Sequence, residues 1–299
     1  MFTMKVFETF GDKMLNILSK KTSGKNPAQK AKVIALMNQK GGVGKTTMAY
    51  NVAHALNSLG KKVLCIDMDP QFNFSLLFGF NPKEDEMNIH HLLINSIKEL
   101  KSLHSGIFIS EVIMNHVSGI DILPSGQELS GFELSVAGIN GPRQLILKKF
   151  IEANQLKERY DYIVIDGPPT LGLLVVNILC ACDGVLFPFI PDSFSEQGLK
   201  NIRNVLLDIE DMGIVKAPKI LGYIPNLFEG RRKKAREDFQ HIKDEFQDGE
   251  IFEPFLNRAN FAKSMANKKS VLEYEAADYK ELQGQFLNVI GSVENQLGN

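Results

Sequence analysis

The 299-residue sequence lacks several features that mark specialised protein classes. Its three cysteines, Cys65, Cys180 and Cys182, are too few for a disulfide framework, which favours a reducing compartment. We expect each of them to be buried in the core as a small hydrophobic residue. No run of about 18 apolar residues predicts a membrane-spanning helix. No apolar N-terminal core followed by a small-residue cleavage site predicts a signal peptide. Integral membrane, secreted mini-protein and fibrous classes are therefore excluded.

The sequence also has little net charge. Lys and Arg together number 34 and Asp and Glu 35, which gives a net charge of −1. A uniformly basic surface for nucleic acid is therefore excluded, although a local basic face is not. The remaining composition, 44% hydrophobic and 23% charged, is that of an ordinary globular protein.

Short apolar runs alternate with longer helix-like stretches from residue 32 onward. The runs are rich in Val, Ile and Leu on both faces, which is typical of parallel strands covered by helices on both sides. They are Val33–Met37, Lys62–Ile66, Ile120–Leu123, Tyr162–Ile165, Gly184–Phe189 and Lys219–Ile224. Helices are predicted over 45–59, 142–158, 170–181, 195–211, 231–246 and 275–296. This order predicts an α/β fold, a doubly wound and mostly parallel sheet with helices on both faces.

Residues 1–31 do not follow this alternation. Their apolar residues recur at spacings of three and four, which predicts one face of an amphipathic helix: Phe2, Val6, Phe7, Phe10, Met14, Ile17 and Leu18. A stretch with Gly24 and Pro27 then reads as a linker. We therefore predict an N-terminal helical extension and linker over 1–31 and one α/β domain over 32–299.

The most informative segment runs from Asn38 to Thr47 and includes Gly41, Gly42, Val43 and Gly44. It follows an apolar strand and opens a helix, which is the context that a phosphate loop requires. Glycines let successive N–H groups approach a polyphosphate, while Lys45 neutralises phosphates and the Thr46 hydroxyl can bind Mg²⁺. The standard pattern has Gly where Gln39 stands, so this loop is a variant with a second lysine, Lys40, before the glycines.

Carboxylates follow two of the predicted strands. Asp67 and Asp69 end one strand and Asp166 ends another, and such positions face the ligand crevice of a parallel sheet. Mg²⁺ takes a few oxygen ligands and keeps several waters, which Asp67 and Asp166 could hold. A lone Asp at a strand end is equally compatible with a helix N-cap, but three of them beside a phosphate loop favour the metal.

With these pieces in place, the sequence resembles the ParA/MinD family of deviant phosphate-loop ATPases. The resemblance extends over about residues 32–290 and is most specific in the phosphate loop. The ending Asp69-Pro70-Gln71 of the motif Asp67–Gln71 resembles that of the ParA (Soj-like) partition and cargo-positioning branch. The matching motifs are Lys40–Thr47, Asp67–Gln71 and Asp166–Pro169, with weaker matches at Pro188–Leu199 and Gly222–Asn226.

The resemblance implies roles for individual residues. Lys40 is similar to the signature lysine that reaches the phosphates of the partner subunit in a dimer, so Lys40, Lys45 and Asp69 form the expected catalytic set. Asp69 would orient the attacking water, Thr47 would contact the α-phosphate, and Asn226 would contact adenine. ATP and Mg²⁺ are the implied cofactors, and a homodimer with two ATP molecules between its subunits is the implied assembly.

Two basic clusters could contact DNA. One contains Arg231, Arg232 and Lys233, and Arg231 aligns with a DNA-binding position in the resembling branch. The other contains Arg258, Lys263 and Lys268, in a stretch without acidic residues. A charge run is often a solvated face, but basic side chains aimed at phosphates bind DNA of any sequence. No recognition helix or zinc-binding spacing is visible, so sequence-specific reading is not expected.

The implied function is a cytoplasmic, nucleoid-associated ATP hydrolase that positions or segregates a plasmid, chromosome or protein assembly. Non-specific double-stranded DNA and a ParB-like or other stimulating protein are the implied partners. A MinD-like ATPase that cycles on a membrane is the alternative, but Gly284–Asn299 holds one acid and no Lys or Arg, unlike a basic amphipathic membrane helix. A nitrogenase-reductase-like electron carrier is disfavoured because no second cluster-binding cysteine site exists.

Overall fold

The computed structural model describes residues 30–80, 87–97, 107–192 and 194–298. The predicted N-terminal extension thus lies outside the described residues, apart from Lys30 and Ala31, and the proposed division at residue 31 stays a prediction. Within the described ranges, no helix is both long and apolar enough to cross a membrane. All three cysteines are buried and unbridged, which confirms the prediction that they are small core residues.

Eight strands form one sheet in the order β3-β4-β2-β5-β1-β6-β7-β8. All neighbours pair in parallel except β3 with β4. The strands are β1 Lys32–Leu36, β2 Val63–Asp67, β3 Met114–Asn115, β4 Asp121–Leu123, β5 Tyr162–Asp166, β6 Gly184–Phe189, β7 Lys219–Pro225 and β8 Glu250–Ile251. The six apolar runs are thus β1, β2, β4, β5, β6 and β7, and the predicted mostly parallel α/β sheet is confirmed.

The helices lie on both faces of the sheet. Their bounds are α1 Lys45–Ser58, α2 Asn73–Leu77, α3 Ile89–Asn95, α4 Ile109–Val112, α5 Phe132–Ser135, α6 Ile146–Ala153, α7 Leu156–Arg159, α8 Leu173–Ala181, α9 Ser195–Met212, α10 Lys233–Glu245, α11 Ala259–Ala266 and α12 Lys280–Leu297. The stretch predicted as one helix over 142–158 is broken, because Gln155 adopts a left-handed conformation with φ 51° between α6 and α7.

The alternation within β1 shows why the strands are apolar on both faces. Val33 and Ala35 belong to one buried cluster, which α6, α8 and α9 cover. Ile34 and Leu36 belong to a second cluster, which α1 and α12 cover. Because every second side chain of a strand points to the opposite face, a sheet covered on both sides needs an uninterrupted apolar run.

The parallel strands bring the functional motifs to one edge. In the sheet register, Leu36 of β1 pairs with Asp166 of β5, and Asp166 also pairs with Asp67 of β2. The carboxyl end of β1 leads directly into the phosphate loop, so the loop and both acidic motifs meet at this edge. This is where ligands bind in open parallel sheets.

Candidate functional site

The segment between β1 and α1 has the backbone of a phosphate loop. Gly42 and Gly44 have φ of 74° and 90°, in the left-handed region that glycine adopts without strain. Gly44 immediately precedes α1, and because it has no side chain it cannot cap the amides of the first helical turn. These N–H groups at the positive end of the helix dipole are therefore available to an anion.

Two asparagines hold the ends of the loop. The Asn38 side chain is buried, donates from Nδ2 to the Pro188 carbonyl at 2.7 Å, and accepts from the Lys40 backbone N–H at 2.9 Å. Asn226, which directly follows β7, donates from Nδ2 to the Val43 carbonyl at 2.9 Å. The loop is thereby tied to both β6 and β7.

Lys45 lies buried beneath the loop at the start of α1. Its ammonium donates to the Lys40 carbonyl at 3.3 Å, and the residue is 7% exposed. Burial lowers the pKa of Lys45, while the nearby carboxylates of Asp166 and Asp69 act in the opposite direction. The three groups therefore share one electrostatic environment.

Asp166 and Thr46 are in direct contact. The Thr46 hydroxyl donates to Asp166 Oδ2 at 2.6 Å. Burial, and secondly the carboxylate of Asp67, hold the pKa of Asp166 well above its usual range. Its second oxygen, Oδ1, is buried and has no hydrogen-bond partner among the described residues. Such an unsatisfied oxygen is costly unless a ligand or cation supplies a partner.

Asp67 is satisfied by the protein itself. Its Oδ2 accepts from the Ser75 backbone N–H at 2.8 Å and from the Ser75 hydroxyl at 2.7 Å, and its Oδ1 accepts from the Asp69 N–H at 3.1 Å. Burial raises the pKa of Asp67 to about 7, against the opposing effect of these hydrogen bonds. The Asp69 carboxylate accepts from the Gln71 N–H at 3.0 Å and is 8% exposed, and burial raises its pKa.

This donor set fits Mg²⁺. Thr46 and Asp166 provide a hydroxyl and a carboxylate in contact, and Asp166 has one oxygen without a partner. Hard oxygen donors of this kind, few in number and supplemented by water, are the usual environment of protein-bound Mg²⁺. Asp67 lies next to Asp166 in the sheet register, so we expect it to act on the waters of the ion.

Lys40 lies at the open side of the loop. Its ammonium pairs with Asp192, whose Oδ1 accepts from the Ser195 N–H at 2.9 Å at the start of α9. The Lys40 side chain is 29% exposed, and its ammonium lies 5.8 Å from the centroid of the Phe194 ring, which is itself largely exposed. The side chain is thus accessible from outside the subunit, as a residue that contacts a partner must be.

Thr47 is linked to a distant part of the chain through Asn51. The Asn51 side chain donates to the Thr47 carbonyl at 2.8 Å. It also accepts from the Ser270 hydroxyl at 2.8 Å and from the Val271 N–H at 2.9 Å. The first turns of α1 and the loop before residue 271 are therefore joined by one buried carboxamide.

The first predicted DNA cluster is exposed but partly neutralised. Arg232 pairs with Glu229 at 2.8 Å, and Lys233 pairs with Glu237 at 3.6 Å. Arg231 is exposed and forms no ion pair within the described part of the chain. Within this cluster, the positive charge of Arg231 is therefore the one most available to a ligand.

The second predicted cluster has the same mixed character. Arg258 pairs with Glu281. Lys263 and Lys268 are exposed and form no ion pair with any described residue. The Lys268 backbone has φ 52°, and its carbonyl accepts from the Tyr50 hydroxyl of α1 at 3.0 Å.

The two clusters begin at the same place in the fold. Phe228 and Leu256 form a parallel backbone bridge, and the Phe228 N–H donates to the Phe255 carbonyl at 3.0 Å. Arg231 and Arg258 follow this bridge by only two or three residues. Stretches that are far apart in sequence therefore leave the sheet side by side.

Several site residues carried no role in the sequence prediction. Asp192 lies inside the recognised motif Pro188–Leu199, whereas Asn38 precedes the loop motif, and its position directly after the predicted apolar strand was the available signal. Ser75 bonds to Asp67 from eight residues away, and Asn51 bonds to Ser270 across 219 residues. No local pattern indicates such a contact.

Comparison with known proteins places these features in a family. The model of the AAA domain family matches residues 31–216, more than half of the chain. An uncharacterized protein of Methanocaldococcus jannaschii is 33% identical over 82% of this chain and 92% of its own. Soj of Bacillus subtilis, a sporulation initiation inhibitor, is 28% identical over 82% of this chain and 91% of its own. The chromosome partitioning protein ParA of Myxococcus xanthus is 30% identical over 76% and 75%.

Solved structures share the fold. McdA of Cyanothece in complex with ATP is 22% identical with a TM-score of 0.76, over 89% of this chain and 97% of its own. Cobyrinic acid a,c-diamide synthase of Mycobacterium smegmatis with bound ADP and magnesium is 26% identical with a TM-score of 0.67, over 80% and 91%. The match to the family model, together with the relatives Soj and ParA, shows that the chain belongs to the ParA/MinD family of phosphate-loop ATPases, and its named relatives lie on the ParA side of that family.

Proposed function

We propose that this protein is a cytoplasmic ATPase that dimerises with ATP, binds double-stranded DNA without sequence preference, and positions or segregates a cargo. A ParB-like or other partner protein would stimulate hydrolysis. The observation that carries the proposal is the convergence of Lys45, Thr46, Asp166 and Asp69 on one preformed phosphate loop. The relatives named for chromosome partitioning support the cargo-positioning part.

Each group of the site has a distinct task in hydrolysis. The loop amides and Lys45 bind the phosphates, and Thr47 lies next in the helix to contact the α-phosphate. Mg²⁺, held by Thr46 and Asp166 with Asp67 acting on its waters, would neutralise charge that develops on the phosphates. Asp69 is buried next to Lys45 and would orient the attacking water.

Lys40 is the group that favours a dimer. Its side chain is partly exposed at the open side of the loop, beside the exposed Phe194 ring. Release from Asp192 would let the ammonium approach the phosphates bound by a second copy. A cation supplied in trans stabilises the charge of phosphoryl transfer, as an arginine finger does.

DNA binding is supported by the two basic clusters that leave the sheet together. Arg231, Lys263 and Lys268 are exposed cations without an ion pair among the described residues, so they can contact phosphates without first breaking an internal bond. Contacts of this kind release counterions from DNA and are independent of sequence.

A MinD-like membrane cycle gains no support from the C-terminal helix. The apolar residues Leu282, Phe286 and Ile290 of α12 are fully buried in the core cluster shared with α1. A helix whose apolar face is buried in the protein core has no apolar face available to bind a lipid surface.

The proposal is tested by measuring binding to random-sequence duplex DNA over a salt series, with ATP and with ADP. We expect tight binding only with ATP. In the variant Arg231→Glu/Arg232→Glu, the slope of log affinity against log salt should fall by about one for each lost phosphate contact. ATP binding should be unchanged.

Lys216→Glu is the matched control, because Lys216 is an exposed lysine that precedes β7, at the opposite end of the strand from Arg231. Its like-for-like comparison is the single variant Arg231→Glu, because each of these two substitutions changes the net charge by −2, and Lys216→Glu should leave the salt slope unaltered. An equal effect of both variants would mean that only net charge matters, and an unaltered slope in the double variant would refute DNA binding by this cluster.

A further inference from the structure

Asn226 is held rigidly by its backbone neighbours. Its N–H donates to the Phe189 carbonyl of β6 at 2.7 Å. On either side of it, the Phe255 N–H donates to the Pro225 carbonyl at 2.8 Å, and the Phe228 N–H donates to the Phe255 carbonyl at 3.0 Å. The backbone position from which the Asn226 side chain reaches the phosphate loop is therefore set by the sheet and not by the loop.

The next residue adopts an unusual conformation. Leu227 has φ 51°, in the left-handed region that a bulky side chain rarely occupies. Such conformations cost energy and persist where the surrounding structure holds them, often at functional sites. Here the flanking hydrogen bonds hold the turn, and the residue before it, Asn226, contacts the loop.

The Asn226 carboxamide packs directly on the loop backbone. Its Nδ2 donates to the Val43 carbonyl at 2.9 Å, and a β carbon added to Gly44 would lie 2.3 Å from the same nitrogen. Gly44 therefore has to be glycine for two reasons, its φ of 90° and the absence of space. Asn226 is 2% exposed; its amide nitrogen is occupied by the bond to Val43, while its Oδ1 is buried without a hydrogen-bond partner among the described residues.

We propose that Asn226 is a positioning residue that holds Val43 and Gly44 in the phosphate-binding conformation before nucleotide arrives. This rests on the proposed ATPase function and deepens it. The predicted contact of Asn226 with adenine is a different role, and the two can be separated, because a positioning role acts on phosphates whether or not a base is attached.

Magnesium tripolyphosphate is the probe that separates them, since it has phosphates and no base. Calorimetry should compare its binding with that of ATP and GTP to wild type and to Asn226→Ala. We expect tripolyphosphate and both nucleotides to bind about 5- to 150-fold more weakly to the variant, as for loss of one partner of a buried hydrogen bond. The ratio of ATP to GTP affinity should not change.

Asn177→Ala is the matched control. Asn177 is equally buried and donates to the Arg143 and Leu173 carbonyls at 2.9 Å, far from the loop in sequence. It should lower the melting temperature without altering tripolyphosphate affinity. If Asn226→Ala does not fold, Asn226→Ser removes the same bond with a smaller change in shape.

Hydrogen exchange of the loop peptide in the nucleotide-free protein gives a readout independent of ligand. Exchange over residues 38–47 should be faster in the Asn226 variant than in wild type and unchanged in Asn177→Ala. The proposal would be overturned if the Asn226 variant has the same loop exchange and the same tripolyphosphate affinity as wild type, whether or not its preference for ATP over GTP changes. A wild-type protein that binds neither ATP nor tripolyphosphate would instead refute the proposed function, whatever the exchange data show.

Discussion

Asp67→Asn should make the nucleotide-free protein more stable at alkaline pH. Burial raises the pKa of the Asp67 carboxyl from 3.8 to about 7. Between these values the folded state binds more protons than the unfolded state, so the free energy of unfolding falls as pH rises through this window. Asparagine fills the same space without a charge and avoids this loss.

The size of the effect follows from the shift and from the hydrogen bonds. Above pH 7 the buried carboxylate lowers the free energy of unfolding by up to about 4 kcal/mol. Asparagine has one acceptor oxygen, so it loses one of the contacts from Ser75 or Asp69, at a cost of about 1–2 kcal/mol. The free energy of unfolding of the variant should therefore exceed that of wild type by about 2–3 kcal/mol at pH 8.

Urea unfolding followed by circular dichroism at pH 8 and pH 5.5 measures this difference. The advantage of Asp67→Asn should shrink by about 2 kcal/mol at the lower pH, where the wild-type carboxyl is largely protonated. Asp211→Asn, a change of the same type at an exposed position, is the control and should show no such dependence.

A stability difference that is the same at both pH values would refute the reasoning. It would mean that Asp67 is already ionised in the folded state throughout this range, because a carboxyl that stayed protonated there would make the pH dependence steeper. Magnesium and ATP provide an internal check, because they require the charged carboxylate and should reverse the order of stability in favour of wild type.

Three further predictions test the site and the extension. Lys45→Ala should abolish ATP binding, because Lys45 is the buried cation of the loop, and retained micromolar affinity in calorimetry would contradict its role. Asp69→Ala should bind ATP and form a stable dimer that does not hydrolyse, and a monomer in size-exclusion chromatography with ATP, or wild-type turnover, would argue against this. Deletion of residues 1–25 should lower the melting temperature or weaken the ATP dimer, because the predicted apolar face requires a surface. If the truncated protein is a stable DNA-binding ATPase that has lost only its stimulation by the partner, residues 1–25 form a partner site. If melting, dimerisation, liposome binding and stimulated turnover are all unchanged, the segment is a passive tail.

The parts of the fold that could be predicted are those encoded locally. β1, β2 and β5 are short apolar runs ended by functional residues, so both the strand and its carboxyl end are visible in the sequence. The phosphate loop is visible because glycines and a lysine must follow at fixed spacing. The two-residue strands β3 and β8 are too short to show any periodicity.

The parts that could not be predicted depend on contacts between distant segments. The bond from Asn226 to Val43 joins residues 183 positions apart, and no composition or spacing indicates it. The break at Gln155 has a similar origin, since a left-handed glutamine carries no glycine or proline signal. The pairing of Lys40 with Asp192 also required the folded chain, because charge alone does not identify a partner.

The position of Asn51 has a thermodynamic consequence. One side chain, that of Asn51, joins the Thr47 carbonyl, beside the proposed nucleotide site, to Ser270 and Val271, which follow the basic residues of the second cluster. If ATP moves the start of α1, these bonds would transmit the movement to the proposed DNA-binding surface. Linkage then requires reciprocity, so DNA must increase the affinity for ATP by the same factor by which ATP increases the affinity for DNA. A nucleoid would thus act as an effector of nucleotide binding, and the ATP affinity of the protein in dilute solution would underestimate its value on DNA.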